Sequence, residues 1–173
     1  PVGKWKVYCF FERVLYEATK LCQGTRASRR YINIRDKKAV ERFYDVTFTR
    51  GYEKMFSKLG DVVDAVFTDE PNTPLYISWK NPENKTAFES FSIYDKANYE
   101  IPTFPFVPCH NDVPKLFKSK YGYDISLSLV DIFTDTKSSK KVRCDFYSLL
   151  SDMSLEAFPV QMQEKLGKSG VKL

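Results

Sequence analysis

Two adjacent carboxylates, Asp69 and Glu70, followed at once by Pro71, are the residues of this chain best placed to do chemistry. They end the run Val62-Val63-Asp64-Ala65-Val66-Phe67-Thr68, whose β-branched content predicts a strand. Strand alternation puts Val63, Ala65 and Phe67 on one face, and Asp64, Val66, Thr68 and Glu70 on the other. A parallel strand is covered on both faces, and enzymes built on such strands keep their reactive groups at the C-terminal ends. A carboxyl held there among aromatic neighbours has its pKa raised and can donate a proton. The same pair also reads as the start of a solvated loop or as a cap for the next turn.

Other reactive groups are sparse. His110 is the single histidine, and beside Pro108 and a helix cap it reads as an ordinary loop residue. A Walker loop, a GxGxxG turn, a GxSxG nucleophile and a HExxH helix are all missing from the sequence. Cys9, Cys22, Cys109 and Cys144 show no CxxC spacing, so neither a metal site nor a cofactor is expected.

The elements that must position the acids follow from length and pattern. A chain of 173 residues, 43% hydrophobic and 16% aromatic, is long and apolar enough for one domain with a core. The net charge of +5 is a mild, dispersed excess that argues only weakly for a nucleic-acid partner. No apolar run is long enough to cross a membrane, and neither a cytoplasmic nor a secreted location is indicated.

Lys4-Trp5-Lys6-Val7-Tyr8-Cys9-Phe10-Phe11 reads as a strand. The stretch from Gly24 to Arg30 reads as a basic loop. Asp36 caps an expected helix reaching about Leu59, with Ala39, Val40, Phe43, Tyr44, Phe48, Tyr52, Met55 and Phe56 on its apolar face and Gly60 as its stop. Strand, helix and strand 62–70 would then form a right-handed βαβ unit.

Residues 72–110 form an aromatic-rich, proline-interrupted insertion hanging from the acid-bearing strand end. Three helices follow, opening near Asp112, Ile125 and Ser138, with Gly122 ending the first and Pro159 expected to kink the third. Val171-Lys172-Leu173 looks like the opening of a further strand.

Arg30-Tyr31-Ile32-Asn33, Asp36-Lys37-Lys38-Ala39-Val40, Val63 to Pro71, Lys120 to Asp124 and Val142 to Tyr147 together resemble, in the same order, the catalytic barrel of large bacterial glycoside hydrolases of the α-L-rhamnosidase-like or β-galactosidase-like kind. The resemblance implies an α/β fold, a partial (β/α)8 barrel of parallel strands running from about the third strand to the start of the fifth. It implies Glu70 as general acid, with Asp69 supporting it. The second carboxylate that glycoside hydrolysis requires would come from a later strand, so no turnover is expected of these 173 residues alone. Sugar rings stack on aromatic faces, which makes Tyr76 and Trp79 candidate carbohydrate contacts, with Arg30 and Asp69 as hydroxyl partners. The remainder of the barrel, or another copy paired through exposed sheet edges, is the expected protein partner. The alternative reading is a non-catalytic carbohydrate- or partner-binding fragment using the aromatic loop 75–106.

Overall fold

A computed structural model describes residues 3–12, 23–24, 27–28, 32–56, 59–69, 71 and 107–173. Asp36 caps α1 (Lys37–Tyr44), its carboxylate accepting from the Lys38 amide at 2.9 Å. That satisfies one of the donors left over at a helix start. The helix runs on as a π-helical stretch, Asp45–Tyr52, into the single turn α2 (Glu53–Phe56). Val40, Tyr44 and Phe48 are buried, whereas Phe43, Tyr52 and Met55 are exposed. The single broad apolar face expected for this helix is therefore split. Wider i→i+5 turns rotate the later residues off the face that Val40 and Tyr44 set.

A 3₁₀ turn, Leu59–Asp61, follows. Its Gly60 does more than stop a helix: a Cβ built on it would stand 1.8 Å from the Ser169 carbonyl oxygen. Only glycine allows the backbone of the 169–170 turn so near.

The C-terminal half is helical. Pro114 sits in the first turn of α3 (Val113–Tyr121), where no amide is missed, and Gly122 ends it in the left-handed conformation at φ 79°. The expected helix over 125–133 is a 3₁₀ turn, Ile125–Leu127, and a short α4 (Leu129–Phe133), parted at Ser128. The long α5 (Ser139–Leu155) buries Val142, Phe146, Leu149 and Leu150. Arg143 on α5 donates to the carbonyls of Ile132 and Thr134 at 3.1 and 2.7 Å, fastening the end of α4. Pro159 lies in a π-helical turn, Glu156–Val160, that leads into α6 (Gln161–Gly167). An i→i+5 turn accommodates the missing amide.

Two apolar clusters result. One joins Ile34, Val40, Tyr44, Phe48 and Leu59 to Phe158, Met162, Leu166 and Val171. The other gathers Val113, Phe117, Ile125, Ile132, Val142, Phe146, Leu149 and Leu150 around α3, α4 and α5.

The expected α/β class is overturned. Among the described residues, strand pairing is confined to a two-residue antiparallel ladder, β1 (Gln23–Gly24) with β2 (Ala27–Ser28), and one parallel bridge between Ala65 and Lys172. A (β/α)8 barrel needs a continuous parallel sheet, so the chain is not folded as a piece of one, and the likeness to the glycosidase barrels is not carried by its fold. Lys4–Phe11, expected as a strand, has no regular structure and leaves Trp5 72% exposed. Its β-branched and aromatic content describes residues that suit a half-buried pleat, and no pleat forms around it. Among the described residues the expected βαβ unit is absent too: the run at 62–70 forms one bridge, to Lys172, and no strand.

Candidate functional site

The chain after Gly60 positions the acids. Val63 and Val66 pack against the first cluster, and the Val66 amide donates to the Lys172 carbonyl at 2.8 Å. The Lys172 amide donates in turn to the Asp64 carbonyl at 3.0 Å. This pair of slanted bonds around Ala65 is a parallel bridge that ties residues 64–66 to the turn after α6. Phe67, Thr68 and Asp69 then run outward from it, all exposed, with Phe67 85% accessible. Val63 and Val66 are both half-buried, so the strict alternation expected from the sequence does not hold. A single bridge leaves the rest of the run free to turn.

Of the residues singled out by sequence, Asp69 alone falls within the described chain, on the surface. Glu70, Arg30, Tyr76 and Trp79 lie outside the described residues, as does almost all of the aromatic loop.

The structure also assembles a group that sequence reasoning missed. His110, largely buried, stands between two carboxylates: its Nε2 is 3.8 Å from Asp36 and its Nδ1 is 3.7 Å from Asp112. The Asp112 amide donates to Nδ1 at 3.2 Å. Both carboxylate distances are too long for hydrogen bonds. The imidazole thus stands between the cap residue of α1 and the start of α3. The signal for it lay in two cap residues, Asp36 and Asp112, read separately. Beside it, burial and the neighbouring Glu12 push the Cys109 thiol upward, with the His110 carbonyl contact opposing. A thiol with a raised pKa is a poor nucleophile. Among the described residues, no group of histidine, cysteine and carboxylate side chains could hold a metal ion.

A second polar group flanks α5. The Tyr123 hydroxyl donates to Asp145 at 2.8 Å, and the Lys141 ammonium both pairs with Asp145 and lies over the Tyr123 ring at 4.5 Å. Burial first, and then the hydrogen bond to Asp145, raises the Tyr123 hydroxyl far above its ordinary value. Burial pulls Asp145 upward, but the hydrogen bonds from Lys141 and Tyr123 outweigh it and hold the carboxyl low.

No known protein family, curated protein or solved structure matches the chain.

Among the described residues no helix is long and apolar enough to cross a membrane.

Proposed function

We propose that this chain supplies the proton donor of a site that cleaves glycosidic bonds, with Glu70 as general acid and Asp69 beside it. One observation supports the reading. The bridge at Ala65 gives residues 64–66 a parallel neighbour, and the exposed Asp69 follows where that pairing runs out. Two backbone bonds to Lys172 hold the segment before it, so Asp69 stands open to a substrate arriving from solvent. The reading needs this local arrangement and no barrel. Glycoside hydrolysis takes a second carboxylate across the sugar as nucleophile or base, and it is not assigned within this chain. Carbohydrate would be held by Tyr76 and Trp79 through ring stacking and by Arg30 and Asp69 through hydroxyl contacts.

The test is Glu70→Gln in the natural full-length protein, assayed on a panel of aryl glycosides. Turnover falls by roughly 100-fold or more, the worth of a positioned general acid, while affinity for the parent sugar stays within about threefold. Full activity in the variant would refute the assignment.

The second reading is carbohydrate or partner binding without catalysis by loop 75–106. The density of aromatic residues in that loop, Tyr76, Trp79, Phe88, Phe91, Tyr94, Tyr99, Phe104 and Phe106, motivates it. On that reading Trp79→Ala abolishes retention on immobilised sugar and Glu70→Gln changes nothing.

A further inference from the structure

The neutral and charged forms of His110 cannot make the same bonds. The Asp112 amide donates to Nδ1 at 3.2 Å, which needs a lone pair there and puts the neutral ring's one proton on Nε2. Nε2 faces Oδ2 of Asp36 at 3.8 Å, while Oδ1 of the same carboxylate caps α1 through the Lys38 amide. Nδ1 also stands 3.7 Å from Oδ2 of Asp112, whose side chain makes no capping bond on α3. The backbone of His110 is held in place, its carbonyl accepting from the Val113 amide at 2.9 Å. Both carboxylates are thus about 1 Å beyond the reach of a charge-assisted hydrogen bond, and movement of the ring and the two acid side chains closes that gap.

Histidine ordinarily changes charge between about pH 5 and 8. An imidazolium carries a proton on each nitrogen, so Nδ1 no longer accepts from the Asp112 amide, and two donors would face each other. The Asp112 carboxylate is the acceptor nearest to the new Nδ1 proton, as Asp36 is to the proton on Nε2. The other titratable groups at this corner, among the described residues, are Cys109 and Glu12, 4.0 Å apart. Burial, and then Glu12, holds the Cys109 thiol's pKa up, so it stays neutral across that range. We propose that His110 is a pH-sensitive clasp between α1 and α3: protonation releases the Asp112 amide and turns the ring onto the carboxylates of Asp36 and Asp112. The proposal goes beyond the hydrolytic reading and does not rest on it.

His110 is the single histidine of the chain, so its ring signals are unambiguous when the isotope-labelled chain is titrated by NMR from about pH 8 to 5. Across the ring's own transition the Asp112 amide loses roughly fivefold or more of its protection from hydrogen exchange, corrected for the intrinsic rate, the worth of one hydrogen bond. The Ser126 amide, which donates to the Asp124 carboxylate at 2.9 Å, keeps its protection. In the acid form both ring N–H protons exchange slowly enough to be seen. Asp36→Ala removes the Nε2 resonance alone, and Asp112→Ala the Nδ1 resonance alone. His110→Gln abolishes the response of the Asp112 amide. An Asp112 amide indifferent to the ring's transition, ring protons that exchange freely in acid, or a response that survives His110→Gln overturns the clasp.

Discussion

Tyr123 and Asp145 show how two side chains can shape both ends of a pH profile. The folded protein holds the Tyr123 proton more tightly than the unfolded chain does. Its contribution is therefore complete below the unfolded value of about 10 and is lost as pH climbs through the raised folded value. Asp145 is held low, so its contribution is complete above the unfolded value of about 3.9 and is lost as pH falls through the folded one. Tyr123→Phe removes one hydrogen bond and costs about 1 kcal/mol at neutral pH. In urea titrations the variant also shows a flatter decline in stability above pH 10 than the parent. An alkaline limb unchanged by the substitution would show that Tyr123 does not govern it. Asp69 belongs to this scale as well, and in sequence it read either as one of two acids at a strand end or as the start of a solvated loop. In the fold it is a surface carboxylate beyond the last backbone bond.

At the scale of elements, caps and close approaches carry the clearest consequences. Asp36→Ala removes the acceptor for the Lys38 amide and costs about 1 kcal/mol, read as a lower urea midpoint with an unchanged slope. It also takes away one of the two carboxylates beside His110. Gly60→Ala is more severe. A methyl group 1.8 Å from the Ser169 oxygen is inside any tolerable contact, and both partners there are backbone. A loss of about 2 kcal/mol or more is expected, the range of forced overpacking, while Gly167→Ala, which meets only the Gln163 side chain at 3.7 Å, changes stability little. Comparing the two melting curves checks the claim.

These elements also separate what was legible in the sequence from what was not. The cap Asp36, the stop at Gly122 and the opening of α5 near Ser138 were readable because caps, breakers and helical periods act within a few residues. The π-helical stretches were not, since nothing local in Asp45–Tyr52 or Glu156–Val160 distinguishes an i→i+5 turn from an α turn. The strand readings failed at Lys4–Phe11 for a different reason. A strand exists only with a partner, and side-chain preference cannot supply one. Of the candidate site, the order of residues along the chain was readable and the surrounding fold was not: the parallel sheet expected to carry Asp69 is replaced by a single bridge at Ala65.

Across the whole molecule, the two apolar clusters share no residue and are strung on the continuous helical run from α5 through α6. Phe117 and Leu166 are fully buried, one in each cluster. Phe117→Ala is expected to cost about 3–5 kcal/mol and Leu166→Ala about 2–5. Because they lack a common neighbour cluster, the double variant loses close to the sum, within about 0.5 kcal/mol. A large departure from additivity in denaturant unfolding would mean that the shared helix couples the clusters into one core.

The bridge between Ala65 and Lys172 joins backbone more than a hundred residues apart along the chain. Bringing such distant segments together costs loop entropy that grows with the logarithm of the span, and two hydrogen bonds return little of it. Its formation therefore belongs after the folding barrier, once α6 has packed on α1 and the ends are already near. Weakening it would hasten unfolding and leave the refolding rate almost untouched, so the bridge acts less as a nucleus than as a latch.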